Sequence, residues 1–254
     1  MSLVQLDEPA DGVRLLRLND PDRRNALTPQ LQEDLRAAVD AVAADKGARV
    51  LVITGNGTAF CAGADLSVTF GEAARPLRQL REGLMATYDS FLRVRRLTIP
   101  TIAAVQGPAV GAGANLALSC DVRIAGPQAK FGITFTRLGL HPGGGCTYFL
   151  VRSLGQQRAL SVLLDGATLT AEEAAATGLV REIADDPLAE ALAAATRWAA
   201  LDPGLAADIK RAVALAATGA FDDVLEFEAW AQAASAGNPA VAQAVEERRK
   251  RRSS

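Results

Sequence analysis

The chain has 254 residues, 49% of them hydrophobic, and a formal net charge of −2. That length fits one hydrophobic core with an appended segment, and the near-neutral charge excludes the basic footprint of a nucleic-acid binder. No apolar run approaches the ~18 residues of a membrane span, and the opening MSLVQLDEPADG carries acidic residues and no apolar stretch of a secretion signal.

In chain order, the first predicted strand is Val13–Leu18 (VRLLRL). A helix follows, with Thr28 as its cap and Pro29 at its first position. Leu31, Leu35, Val39 and Val42 recur there at helical spacing. Residues 49–54 (RVLVIT), Thr101–Val105 and residues 121–125 are the next strands, each bounded by Gly, Asn, Asp or Pro. Thr170 and Glu173 read as a capping box that opens a short helix ended by Gly178. Beyond about residue 187 the chain is Ala-rich and helical. Strands alternating with helices before a helical tail predict an α/β fold with a C-terminal helical segment. Cys61, Cys120 and Cys146 are far apart and odd in number, which reads as reduced thiols in a cytoplasmic protein without a metal site.

Two segments are built to present a backbone N–H: residues 59–66 (AFCAGADL) and 107–121 (GPAVGAGANLALSCD). The second runs from a buried strand through a Gly-rich turn into a helix opening at about Ala112. A helix start leaves its first N–H groups without intrahelical partners and carries the positive end of the dipole. Bare N–H groups aimed into an apolar cleft are what an oxyanion needs. The glycines lack the spacing of a dinucleotide fingerprint, so a dehydrogenase of that kind is excluded.

Together with RRNALT at 23–28, KFGITFTRLGLHPGGG at 130–145 and LTAEEAAATGLV at 169–180, these segments closely resemble the crotonase superfamily, the enoyl-CoA hydratase/isomerase family. The resemblance covers almost the whole chain. It implies the crotonase (ClpP/crotonase-like) spiral of ββα units, with residues 1–195 as the core holding the CoA and acyl site. Residues 196–254 are then a helical segment for oligomerisation and for covering the site. It further implies an acyl-CoA ligand with no other cofactor, a homotrimer or dimer of trimers, and an oxyanion hole made by the N–H groups of Ala64 and Ala112. Arg24, Ala26, Ala62, Asp65, Leu66, Val110, Gly111, Thr134, Phe135 and Leu138 are the implied CoA- and acyl-contacting residues.

The sequence departs from the hydratase pattern at the acid/base positions. Where the family's hydratases carry their two glutamates, this chain has Asn115 and Phe135. An amide orients a water but does not accept and return a proton at neutral pH, and phenylalanine does neither. His141, the single histidine, follows in the Gly-rich loop and is either a general base or a loop histidine satisfied by backbone. Asp65 is expected to cap the next turn rather than act on substrate, and Arg24 to pair with CoA phosphates. The basic run at 248–252 reads as a solvated terminus. Residues 67–84, with Arg75, Arg78 and Arg81, are expected to be a mobile segment shaping the acyl pocket. Two functions remain open: an enzyme of the lyase or isomerase type in fatty acid metabolism that uses the Ala64 and Ala112 N–H groups with another acid/base arrangement drawn from Asn115, His141, Asp65 or bound water, or a non-catalytic acyl-CoA binder or carrier.

Overall fold

Strands whose side chains are buried on both faces form the centre of the fold. The structure is a computed structural model that describes residues 2–71 and 75–252. A hairpin of β1 (Val4–Ala10) and β2 (Val13–Leu18) leads into helix α1 (Pro29–Ala44), whose cap Thr28 accepts the Leu31 N–H as expected. Next come β3 (Val50–Gly55), the short helix α2 (Leu66–Phe70) and α3 (Leu77–Leu92). The chain continues through β4 (Thr101–Val105), β5 (Pro108–Val110), α4 (Ala112–Ser119), β6 (Val122–Ala125) and β7 (Lys130–Gly132). Helices α5 (Cys146–Leu154) and α6 (Gln156–Asp165), strand β8 (Thr168–Thr170), helix α7 (Ala171–Ala176), strand β9 (Glu182–Ile183) and helix α8 (Pro187–Ala199) complete this part.

One sheet has the order β1-β2-β3-β4-β6-β9, antiparallel at β1–β2 and parallel elsewhere. A small second sheet pairs β5, β7 and β8. Alternate residues of the large sheet enter two cores. Leu16, Leu51, Ile53, Ala103 and Val105 pack towards α1 and α4, while Leu15, Val52, Ile102 and Ala104 pack on Ala191, Ala194 and Ala195 of α8. Burial on both faces explains why β3 and β4 read as nearly continuous apolar runs. β1 escapes such a reading because its residues are mostly exposed, it carries Asp7, Glu8 and Pro9, and its ladder with β2 is irregular between Asp7 and Ala10. Those are features of an edge strand.

The chain divides into two units, Met1–Ala199 and Ala200–Ser254. The division lies at the end of α8 rather than at residue 195, because the buried alanines of α8 tie the whole helix to the sheet. The second unit consists of α9 (Pro203–Ala216), α10 (Phe221–Ser235) and α11 (Pro239–Arg252). The basic run at 248–252 is the end of α11. Among the described residues no helix is long and apolar enough to cross a membrane. The segment expected to be mobile is largely helical, in α2 and the start of α3, with residues 72–74 outside the described residues.

Candidate active site

The loop after β3 and the turn before α4 are knitted together by backbone hydrogen bonds. Val110 N–H donates to Cys61 O at 3.0 Å, and Phe60 N–H donates to Pro108 O at 3.0 Å. Small residues are required at this seam. A methyl group on Gly63 (φ +94°) would lie 2.4 Å from Val110 O, and one on Gly113 would lie 2.2 Å from Cys61 O. Both approaches are closer than any Cβ tolerates, so glycine lets the two segments meet. Cys61 itself is fully buried, donates its S–H to Asn25 O, and burial pushes its thiol up to about 12. It is an inert packing residue.

Residues 23–28 join the same seam. Ala62 N–H donates to Arg24 O at 2.9 Å, and Leu27 N–H donates to Gly63 O at 2.8 Å. Asn25 holds this loop in place from a left-handed backbone (φ 55°). Its Oδ1 accepts Asp20 N–H, and its Nδ2 faces the carbonyls of Asn56, Ala59 and Phe60. Asparagine is among the residues that tolerate this backbone region, and here the side chain is also wholly satisfied. Its role was not read from the sequence, where RRNALT pointed only to ligand contacts.

The seam faces a cavity of about 340 Å³. Ala64 and Ala112 both line it, and neither N–H has an acceptor among the described residues. Ala112 is the first residue of α4, so its N–H is one that the helix cannot satisfy. Ala62, Leu66, Val110, Gly111, Thr134, Phe135, Leu138, Asn115 and His141 also line the cavity, whereas Arg24, Ala26 and Asp65 do not. Asp65 caps α2 instead. Its carboxylate accepts Ser67 N–H, Val68 N–H and the Ser67 hydroxyl, and the Ser67 hydroxyl bond leads in holding it below the usual carboxylate range.

Asn115 is 1% exposed on α4, one turn beyond Ala112. Its Nδ2 donates to Gly143 O at 2.8 Å, which ties α4 to the loop carrying His141, while its Oδ1 is buried without a donor. His141 is exposed, with Nδ1 2.7 Å from Pro142 O. Phe135 opens a short 3-10 turn (Phe135–Leu138) and packs its ring against the Gly111 side of the seam. Leu80, Leu84, Thr87 and Tyr88 of α3 form the opposite wall. Their spacing of four, three and one is a helical face, a signal that the arginines interleaved with it obscured.

Among the described residues no carboxylate lines the cavity, and the titratable side chains there are Tyr88 and His141. A profile of the enoyl-CoA hydratase/isomerase family matches residues 8–249.

The chain belongs to the enoyl-CoA hydratase/isomerase family.

The probable enoyl-CoA hydratase EchA14 of Mycobacterium tuberculosis is 50% identical over 183 residues, covering 71% of this chain and 69% of that protein. The 1,2-epoxyphenylacetyl-CoA isomerase of Escherichia coli is 37% identical over 221 residues, covering 85% and 84%. Among solved structures, a Thermobifida fusca protein assigned to the enoyl-CoA hydratases, in complex with CoA, superposes with a TM-score of 0.83 at 30% identity. That match covers 94% of this chain and 95% of the other. The fold is the crotonase fold with its C-terminal helical segment, as the sequence motifs imply.

Proposed function

We infer that this chain acts on a CoA thioester whose carbonyl oxygen accepts the N–H groups of Ala64 and Ala112, and that it works through an enolate without a glutamate pair. The observation that carries this reading is a cavity lined, among the described residues, by two unsatisfied N–H groups and by no carboxylate. Negative charge that builds on the thioester oxygen is stabilised by each such donor by roughly 3–4 kcal/mol. Arg24 and Ala26, joined to the seam through the Arg24 and Leu27 backbone, take the CoA moiety, with Ala62 and Leu66 beside its path. Leu138, Phe135, Thr134, Val110 and Gly111 enclose the acyl group. The CoA complex of the Thermobifida fusca relative supports that class of ligand.

Hydration requires a water to be held, deprotonated and added at the β-carbon, which is the work of two carboxylates in the family's hydratases. Asn115 and Phe135 cannot exchange protons. Moving a double bond along the acyl chain requires less: a proton leaves one carbon, another arrives two carbons away, and no water is consumed. The reaction best matched to the cavity is therefore isomerisation of a 3-enoyl-CoA to a 2-enoyl-CoA. The relative named 1,2-epoxyphenylacetyl-CoA isomerase is likewise an isomerase of a CoA thioester, although of an epoxide rather than an enoyl group.

The test is titration with acetyl-, crotonyl- and 3-enoyl-CoA, beside assays of isomerisation and of crotonyl-CoA hydration on the same samples. Binding of the thioesters and isomerisation faster than hydration is the expected result. Absence of binding to all of them overturns the reading, as does crotonyl-CoA hydration near the ~10 s⁻¹ typical of enzymes.

A further inference from the structure

Helix α3 presses Tyr88 against the loop that carries His141. A methyl group on Gly143 would lie 2.2 Å from Tyr88 Oη. One on Gly144 would lie 2.8 Å from Asn115 Nδ2 and 3.3 Å from Tyr88 Cδ1. Tyr88 and Asn115 thus grip residues 143–144 from two sides, and only glycines fit between them. The Tyr88 ring is held edge-to-face against Phe91, which is fully buried, with centroids 6.3 Å apart. Its hydroxyl therefore has a defined position in the cavity wall.

Burial pushes the Tyr88 phenol above its ordinary value, more than a backbone N–H contact from Gly144 pulls it back. At neutral pH it is a phenol with a proton to give. His141 is the complement. Nδ1 lies 2.7 Å from Pro142 O and donates there, so in the neutral ring Nε2 is the nitrogen that carries the lone pair.

We propose that Tyr88 is the proton donor of this site, acting opposite His141 as the base. The proposal rests on the enolate reading above. His141 Nε2 takes the α-proton of a 3-enoyl-CoA. The C–H electrons form a C1–Cα double bond as the carbonyl π pair moves onto the thioester oxygen, giving a dienolate whose Cβ–Cγ π pair can take a proton at Cγ while the C1–Cα pair shifts to Cα–Cβ. Tyr88 Oη then delivers its proton to Cγ as the oxygen charge collapses back to a carbonyl, giving the 2-enoyl-CoA. The imidazolium returns its proton to the phenolate through solvent, and the exposed His141 is open to that exchange. One proton leaves the substrate and one arrives, with no oxidant, reductant or water consumed.

The test follows both half-reactions in D2O, as deuterium entry at Cα and as isomerisation of 3-enoyl-CoA, beside a binding titration. Tyr88→Phe keeps the ring and its packing on Phe91. It is expected to bind substrate within about twofold of wild type and to keep α-exchange within about threefold. Isomerisation should fall about 10²-fold or more. His141→Gln should lose both half-reactions. Isomerisation by Tyr88→Phe within threefold of wild type overturns the proposal. So does a parallel loss of exchange and isomerisation, which marks a structural role. Wild-type protein that neither binds nor exchanges overturns the enolate reading itself, and this proposal with it.

Discussion

Ala112 lines the cavity at the start of α4, so a test of the proposed backbone donor has to remove its N–H and leave the side chain small. Proline does so, and the first position of a helix is where proline is tolerated. Ala112 occupies that position in α4. Ala112→Pro is expected to fold, by circular dichroism, and to lose about 10²-fold in turnover. Unchanged turnover in a folded variant would mean that the α4 start is only a packing turn. The Asn115 Nδ2 is spent on Gly143 O, which ties α4 to the loop carrying His141.

Among the elements, α2 is too short to be stable by itself, since helix nucleation is costly. It depends on the Asp65 cap, whose carboxylate accepts two backbone N–H groups and the Ser67 hydroxyl. Leu66, Thr69 and Phe70 on this element line the cavity, so order in α2 and shape of the acyl wall are coupled. Asp65→Ala removes a cap worth about 1 kcal/mol. If that cost falls on the bound state, affinity for acyl-CoA weakens about fivefold. The expected signature is a raised dissociation constant by titration, with turnover of the saturated enzyme little changed. An unaltered dissociation constant would separate the cap from the wall.

At the scale of the molecule, Arg93, the residue that follows α3, ties the end of that helix to α1. Arg93 donates to Asp89 at 2.7 Å and to Asp40 of α1 at 2.6 Å, while Arg96 adds a second contact to Asp89. The hydrogen bond from Arg93 leads in holding Asp89 below the usual carboxylate range, and the one from Arg14 does so for Asp45. A lowered folded-state value stabilises the fold above the unfolded value of about 4. That contribution is lost as pH falls through the lowered folded value. Urea midpoints are therefore expected to be level near neutral pH and to drop below about pH 4, and Asp89→Asn should flatten part of that drop. The same pH dependence in wild type and Asp89→Asn would show that this pair does not set acid stability.

Local chemistry made much of this legible in advance. Nearly continuous apolar runs gave away β3 and β4, which are buried on both faces, while β2 and β6 were legible from apolar residues bounded by Gly, Asn, Asp or Pro even though arginines interrupt them. Thr28 with Pro29, and Thr170 with Glu173, announced their helices through capping that depends on a few adjacent residues. Paired small-residue segments identified the family and the two N–H groups, since a backbone donor leaves its mark as an absence of side chain. The sequence could not reveal what distant segments do to one another. β1 became a strand because β2 offered it an edge. Residues 67–84 looked unstructured because their arginines hide a helical face that has meaning only opposite α4 and the His141 loop. Tyr88, some 27 residues before Asn115 and 53 before His141, joined the site only when α3 closed over the cavity. Periodicity and capping are short-range properties of a chain, whereas the meeting of a phenol, an imidazole and two bare N–H groups is a property of packing alone.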